Sequence, residues 1–476
     1  HELGIIQAVA AKLTPAQRAA LLELDPSLRI HEDATVEASA AEDTEYGDAV
    51  EPQFTQLIDA DRVHRQGVTG RGVTVAILDS GLWAAKSLAQ DTAERERILA
   101  SYDARTDREL ATKTRDRNGH GTHVTSVIAN SDTNEAGSFQ GVAPDVDLVV
   151  VRAFNGSGKG TYADVIRGID WVVDNRRAYG IRILNLSLSA APRSYYWDDP
   201  LNQAVMTAWQ AGIVVVASAG NQGPDPMTVG VPGNVPYVIT VGAMTDNFTP
   251  GDGTDDYLAS FSATGPTAAG FPKPEIVAPG GHIPGTMNRK SKIARKYPRY
   301  HDGGRTFTMS GTSQAAAVIS GVAALVLDAN PSLEPDDVKC RLMSAARPAL
   351  NENGDLAYSV LQQGSGLVNA FDAVHSTKKG CANKGLNLRA DLSGAKHFTG
   401  AARADDLGGF YILGHAEHVW SGKYVQLDGF VWSDDKVWGS AFVWSDGFVW
   451  SDDAVWGDGF VWSDGLTEKA CINIWV

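Results

Sequence analysis

Five short runs along the chain hold almost nothing but apolar residues: "GVTVAILD", "VDLVVVRAF", "IRILNLSLS", "GIVVVASAGN" and "YVITVGAM". A strand this uniformly apolar has no face to give to water, so it must be covered on both sides. Stretches such as "YADVIRGIDWVVDNRRAYG" separate the runs and are long enough for crossover helices. From about residue 50 to 376 the pattern therefore predicts an α/β architecture, a doubly wound parallel sheet with flanking helices. Ligands in such folds sit at the carboxyl ends of the strands, so functional residues are sought where the runs end.

Composition narrows the classes. The hydrophobic fraction of 43% and charged fraction of 21% are those of a globular chain. No uninterrupted apolar run approaches the roughly 18 residues that span a bilayer, and no membrane partner is expected. A net charge of -16 argues against nucleic acid, whose phosphates it would repel. The opening "HELGIIQAVAAKL" lacks the basic start and apolar core of a secretory signal. Either the protein is not exported, or its signal precedes this numbering. Cys340, Cys381 and Cys471 are too few for a zinc cluster. They allow one disulfide and a leftover thiol, with the pairing and the compartment left open.

Three motifs stand where the architecture would place a site. Asp79 ends the run "VAILD" and is followed by the turn-forming Ser80-Gly81. His120, in "NGHGTHVTSVIAN", begins a predicted helix between two glycines that leave room for another chain to approach. Ser313, in "TMSGTSQAAAVISGVAALVL", lies where a loop enters a helix of small residues, whose amino end suits developing negative charge. A hydroxyl needs an adjacent base to become a nucleophile, and an imidazole base needs a carboxylate to hold its tautomer. Asp79, His120 and Ser313 supply those roles. The Ser313 N–H and the side-chain amide of Asn221, in "SAGNQG", are candidate donors to an oxyanion. Taken alone, Asn221 also reads as a turn residue, and Asp79 as a strand-end cap.

Together these residues resemble the subtilisin-like serine proteases, the subtilases. The resemblance covers roughly residues 50 to 376 and rests on "ILDSG", "GHGTHVTS", "LNLSLS", "SAGN", "GTSQAA" and "GSGLVNAFDAV", all in family order. It implies a subtilisin-like fold, an Asp79–His120–Ser313 triad with Asn221 in the oxyanion hole, and a serine endopeptidase acting on polypeptides. No cofactor is implied for the chemistry. His123, three residues past His120, is taken as structural. The family binds extended peptides by strand addition. Gly156, Ser157 and Gly158 match one edge of that groove, and Ser187, Leu188 and Ser189 the other. Gly230 matches the floor of the first specificity pocket, where a glycine implies a deep slot for large apolar or uncharged side chains.

The departures from the family pattern are specific. Ala317 stands for the usual proline after the nucleophile, Gln314 for methionine, and Ser189 for the glycine closing "SLG", which narrows one pocket wall. "LWAAKSLAQDTAERERI" replaces a His-Pro stretch and puts the familiar calcium ligands of that region in doubt. The loop "NSDTNEAGSFQGVAP" resembles a family calcium loop in position and polarity, which makes structural calcium an expectation with its ligands unassigned. The basic insertion "MNRKSKIARKYPRYHDGGR" reads as a solvated loop near the leaving side of the cleft, with a bias toward acidic substrates as the alternative.

The flanks complete the organisation. Residues 1–45 resemble the carboxyl half of a subtilase propeptide followed by an acidic link. Thr14 is the predicted N-cap of a helix, with Pro15 first in it and Gln17 completing a capping box. The resemblance implies a zymogen inhibited by its own propeptide, autoprocessed between about Ala40 and Val50, and exported. Residues 46–376 form the catalytic domain and 377–476 a β-rich extension. Its six-residue repeat, close to D-G-F-V-W-S over about 420–465, puts every Trp and Phe on one side of a strand. That tail reads as a structural extension, a calcium-binding solenoid, or a platform for a polymer or surface ligand. An idle protease scaffold that binds through this tail is the rival to a working peptidase.

Overall fold

The computed structural model describes residues 2–38, 54–110, 115–247, 249, 256–351 and 354–420, with the pairs 443–444 and 460–461. Almost the whole tryptophan repeat, Cys471 and the expected maturation stretch lie outside the described residues.

At the amino end, α1 (Pro15–Leu24) starts as its sequence predicts. Thr14 Oγ1 accepts the Gln17 N–H at 3.3 Å, and Gln17 Oε1 accepts the Thr14 N–H at 2.9 Å. The helix is exposed along its length. The short strand after it, β1 (Thr35–Ala38), is attached to the body, and Val36 is fully buried there.

The body is built on a nine-stranded sheet. Its strands begin with β2 (Thr74–Asp79) and β3 (Ile98–Asp103), then α2 (His120–Ala129) and β4 (Asp147–Arg152). A short strand, β5 (Lys159–Thr161), leads into α3 (Tyr162–Asn175) and β6 (Ile181–Leu186). The two-residue β7 (Leu188–Ser189) precedes α4 (Pro200–Gln210), β8 (Val214–Ser218), β9 (Ile239–Thr245), β10 (Ile276–Pro279) and α5 (Thr312–Ala329). Side by side the order is β9, β8, β6, β2, β4, β3, all parallel, with β10 parallel to β9. Every residue of β2, β8, β9 and β10 is buried, as the apolar runs require. The strand order reverses at β2, whose neighbours are β4 and β6, so Asp79 stands at the switch point.

Helix α5 packs against β6, β8, β9 and β10. Its Ala, Gly and Ser residues let the backbone approach the sheet closely, and it is buried from Thr312 to Leu327. By length and hydropathy it is the one described helix able to cross a membrane, yet it fills the core of this fold.

Past residue 376 the described chain is held to the body as far as Phe398. Cys381 forms the disulfide with Cys340, settling the pairing that sequence left open. Asp391 accepts the hydroxyls of Tyr196 (2.6 Å) and Tyr237 (3.0 Å), and Phe398 joins the main core.

Candidate active site

Asp79 ends β2, and the close contact of its loop with α2 brings His120 to it. The imidazole Nδ1 donates to both Asp79 carboxylate oxygens at 2.9 Å, and both side chains are buried. Glycine is required next to His120: a Cβ on Gly121 would stand 2.4 Å from the Gly81 carbonyl oxygen. Burial works against the imidazolium, but the Asp79 charge and hydrogen bond, helped by Asp116, outweigh it, so His120 titrates above the ordinary histidine range. Its Nε2 is buried without a hydrogen-bond partner.

Ser313 sits in the first turn of α5. Its Oγ donates to the Ser187 carbonyl at 3.2 Å, while Ser187 Oγ donates back to the Ser313 carbonyl at 2.9 Å. The expected Ser313–His120 hydrogen bond is thus not formed. A one-bond rotation of the hydroxyl is the adjustment open to it, and such bonds often close only around substrate. Asn221 is held across α5's entrance: Oδ1 accepts the Thr312 N–H at 3.0 Å and the Thr312 hydroxyl at 2.8 Å. Two donors at Oδ1 fix the amide orientation. Nδ2 is left buried and without a partner.

Between two edges of this site lies β1. It is antiparallel to β5, with Val36 opposite Gly160 and Glu37 opposite Lys159. It is also antiparallel to β7, with Ala38 opposite Leu188 and Glu37 opposite Ser189. Ala38 donates its N–H to the Gly158 carbonyl at 3.0 Å. Among the described residues the edge runs Gly158–Thr161, and Gly158 of the expected trio meets the strand by a backbone bond. Gly156 and Ser157 are spent in a turn: Gly158 N–H donates to the Asn155 carbonyl (3.0 Å), and Asn155 Oδ1 accepts the Ser157 N–H (2.7 Å). Leu188 and Ser189 lie on the opposite edge as expected, and Ser187 turns its carbonyl to Ser313.

Gly230 faces the Ser189 side chain. Ser189 Oγ stands 2.0 Å from where a Cβ on Gly230 would be and 2.9 Å from one on Gly220, so the hydroxymethyl group fills the space both glycines leave.

Family comparison accounts for this arrangement. The family model described as the subtilase family matches residues 70–371. The chain belongs to the subtilase family. Serine protease AprX of Bacillus subtilis (strain 168) is 38% identical over 327 residues, covering 67% of this chain and 70% of that protein. Subtilisin DY of Bacillus licheniformis is 34% identical over 322 residues, covering 67% of this chain and 96% of that protein. A crystal structure of fervidolysin from Fervidobacterium pennivorans, described as a keratinolytic enzyme related to subtilisin, is similar at TM-score 0.52 and 26% identity. That match covers 68% of this chain and 46% of the fervidolysin chain. The subtilisin-like α/β fold and the assignment as a subtilisin-like serine protease both follow.

Within this subtilase, His123 is a packing residue. Its Nε2 donates to the Phe307 and Ile283 carbonyls at 2.9 and 3.1 Å, and burial pushes its pKa down to about 4. Gln314, in the methionine's place, brings its amide nitrogen to within 3.4 Å of His123 Nδ1. Asp116 was missed by sequence reasoning, since it precedes the Gly119 N-cap by three residues and no local pattern marks it. It accepts from Ser80 Oγ, from the N–H groups of Asn118, Gly119 and Thr122, and from the Thr122 hydroxyl, tying the Asp79 loop to α2.

The basic insertion folds as a short helix, Lys292–Lys296, on its own apolar cluster of Met287, Ala294, Phe307 and Met309. Lys292 and Ile293 donate their N–H groups to the Arg117 and Asn118 carbonyls, and Lys292 Nζ reaches Ser157 Oγ at 2.8 Å. It covers the loop before His120 and the Asn155–Gly158 turn. In the expected calcium loop, Asn130 Nδ2 donates to Gln140 Oε1, and Asn134 Oδ1 accepts the Ser138 N–H. Those oxygens are engaged within the loop, and no group of three His, Cys, Asp or Glu side chains among the described residues is placed to hold a metal.

Proposed function

We propose that the chain is a serine endopeptidase made as a zymogen, with Asp79, His120 and Ser313 as its triad and Asn221 as an oxyanion donor. The observation that carries this reading is the docking of β1. A segment of the chain lies as an added strand between two backbone edges, in the manner of a bound peptide, beside the Ser187 carbonyl that holds the Ser313 hydroxyl.

The chemistry follows from the groups present. Ser313 Oγ attacks the scissile carbonyl while His120 Nε2 takes its proton, and Asp79 holds the Nδ1–H and stabilises the imidazolium. The oxyanion is met by Asn221 Nδ2, whose hydrogen-bonding capacity is unused, and by the Ser313 N–H. His120 then passes its proton to the leaving amine, and the acyl-enzyme is released by a water activated in the same way. No step needs a cofactor.

We assign residues 1–45 to a propeptide remnant and link, 46–376 to the catalytic domain, and 377–476 to an extension whose first part is stapled to the body. The remnant acts as an intramolecular inhibitor, held by β1, by the Arg193–Glu32 ion pair (2.7 Å) and by an Arg29–Asp198 pair. The Cys340–Cys381 disulfide supports export to an oxidising compartment. The tryptophan repeat is proposed as an accessory for a polymer or surface ligand.

The test expresses the chain with Ser313 and with Ser313→Ala, and follows intact mass and casein cleavage. Only the Ser313 form should lose its amino terminus and cut casein. Two full-length, inactive preparations would sink the proposal.

A further inference from the structure

The pocket beside Ser189 is closed by side chain and braced by backbone. Its two glycines, Gly220 and Gly230, face the same hydroxymethyl group, and the Ala190 carbonyl lies 2.8 Å from the Cβ position of Gly230. Ala190 and Val231 exchange N–H···O=C bonds of 3.0 and 2.8 Å across it, and Gly230 donates to the Ala219 carbonyl at 2.9 Å. Behind these strands, Ala219, Val229 and Ala263 form a small buried cluster. Walls pinned by backbone bonds cannot spread to admit a ring, and a rotamer change still leaves the Ser189 Cβ 3.3 Å from the Gly230 Cβ position.

The register of β1 says which substrate residue meets this pocket. Ser189 is opposite Glu37, so their side chains share a face. Residues two apart on a strand also share a face, so in a peptide bound like β1 the residue two beyond Glu37's position is directed to the Ser189 side. That residue is opposite Ser187, whose carbonyl accepts the Ser313 hydroxyl, and is the one whose carbonyl Ser313 attacks. In this chain's own sequence the residues after Ala38 are Ser39, Ala40 and Ala41, none larger than serine.

We infer that Ser189 is a specificity-determining residue that restricts the side chain preceding the cut to glycine, alanine or serine. The inference rests on the peptidase reading above, and it reverses the preference for large side chains that Gly230 alone suggests. Recognition is by exclusion: the Ser189 hydroxymethyl group occupies the space beside Gly220 and Gly230 that a branched or aromatic side chain would need. The Ser189 hydroxyl also offers a hydrogen bond to a serine there.

The test uses the processed full-length enzyme and quenched peptides reading Thr-Val-Glu-Ala-X-Ala-Ala, with X as Gly, Ala, Ser, Leu or Phe. The parent should cut after Ala or Ser at least about tenfold faster, by kcat/KM, than after Leu or Phe. Ser189→Gly should raise the ratio of Phe-peptide to Ala-peptide kcat/KM by about tenfold or more. Ser189→Ala, which keeps the Cβ, should still reject Phe and guards against a folding defect in the glycine variant. Parent turnover of Phe equal to that of Ala would overturn the inference, as would an unchanged ranking in Ser189→Gly. Casein cleavage separates the two claims: casein cut with an aromatic preference sinks this inference alone, and no cleavage of casein or any peptide sinks the peptidase reading with it.

Discussion

Under the β9–β10 edge three charged side chains are buried completely: Lys273, Glu275 and Lys339. Glu275 Oε1 accepts from Lys273 Nζ at 2.6 Å and from Lys339 Nζ at 2.9 Å, and Oε2 accepts the Thr240 N–H at 2.8 Å. Lys339 is further solvated by the Pro236, Tyr237 and Val238 carbonyls and Asn383 Oδ1. Two ammoniums share one carboxylate. Burial, and then the like charge of Lys339, overcome the attraction of Glu275 and push Lys273 down to about 7. In the unfolded chain the same lysine titrates near 10.5. Between about 7 and 10.5 the unfolded chain therefore binds the extra proton, so stability rises with pH across that window. The slope approaches about 1.4 kcal/mol per pH unit once the native lysine has lost its proton, and starts at half that at pH 7, so Lys273 adds roughly 2 kcal/mol between pH 7 and pH 9. Lys273→Met removes this titration and leaves Glu275 paired with Lys339. Urea unfolding of both forms, in a Ser313→Ala background to prevent self-digestion, measures the difference at each pH, and subtraction cancels every other titrating group. At pH 6 the methionine form should equal or exceed the parent, because an apolar chain of similar length replaces a buried charge. By pH 9 the parent should have gained about 2 to 3 kcal/mol relative to it. A difference that stays flat from pH 7 to 9 would refute the reasoning.

Two further outcomes follow from the site and its staple. Because Asp79 holds His120 above the ordinary histidine range, kcat/KM should fall as pH drops through that raised value. Asp79→Asn should move this limb to lower pH and cut kcat by about 10⁴; an unmoved limb would contradict the pairing. The Cys340–Cys381 bridge spans 41 residues, so Cys381→Ser should cost about 4 kcal/mol in urea unfolding and leave kcat unchanged. A loss under about 1 kcal/mol would show that the bridge restricts the unfolded chain little.

Much of the fold was legible because its signals are local. Buried parallel strands must be apolar on both faces, and β2, β4, β6, β8 and β9 fall on the five runs that announced them. The capping box of α1 is legible for the same reason, since Thr14 and Gln17 are three residues apart. Asp79 at a strand end, His120 at a helix start and Ser313 at a loop-to-helix entry were legible from the turn chemistry beside them. Two shifts show where local signals stop. "NGSGKG" offers several glycine pairs, and only the Asn155–Gly158 turn moves the edge to Gly158–Thr161. The role of Asp116 shows only in the tertiary structure, where Ser80 and Thr122 bond to it from opposite sides.

The sequence alone determined which elements form and which chemical groups stand at their ends, because burial periodicity and capping depend on neighbours within a few residues. Tertiary structure alone decided that Cys340 takes Cys381, that Asn221 turns its oxygen to Thr312 and leaves its nitrogen unused, and that two lysines share Glu275. It also decided that Ser189 fills the slot opened by Gly220 and Gly230. Each of these depends on side-chain direction between residues far apart in the chain, and that direction is fixed only when the packed strands set their register.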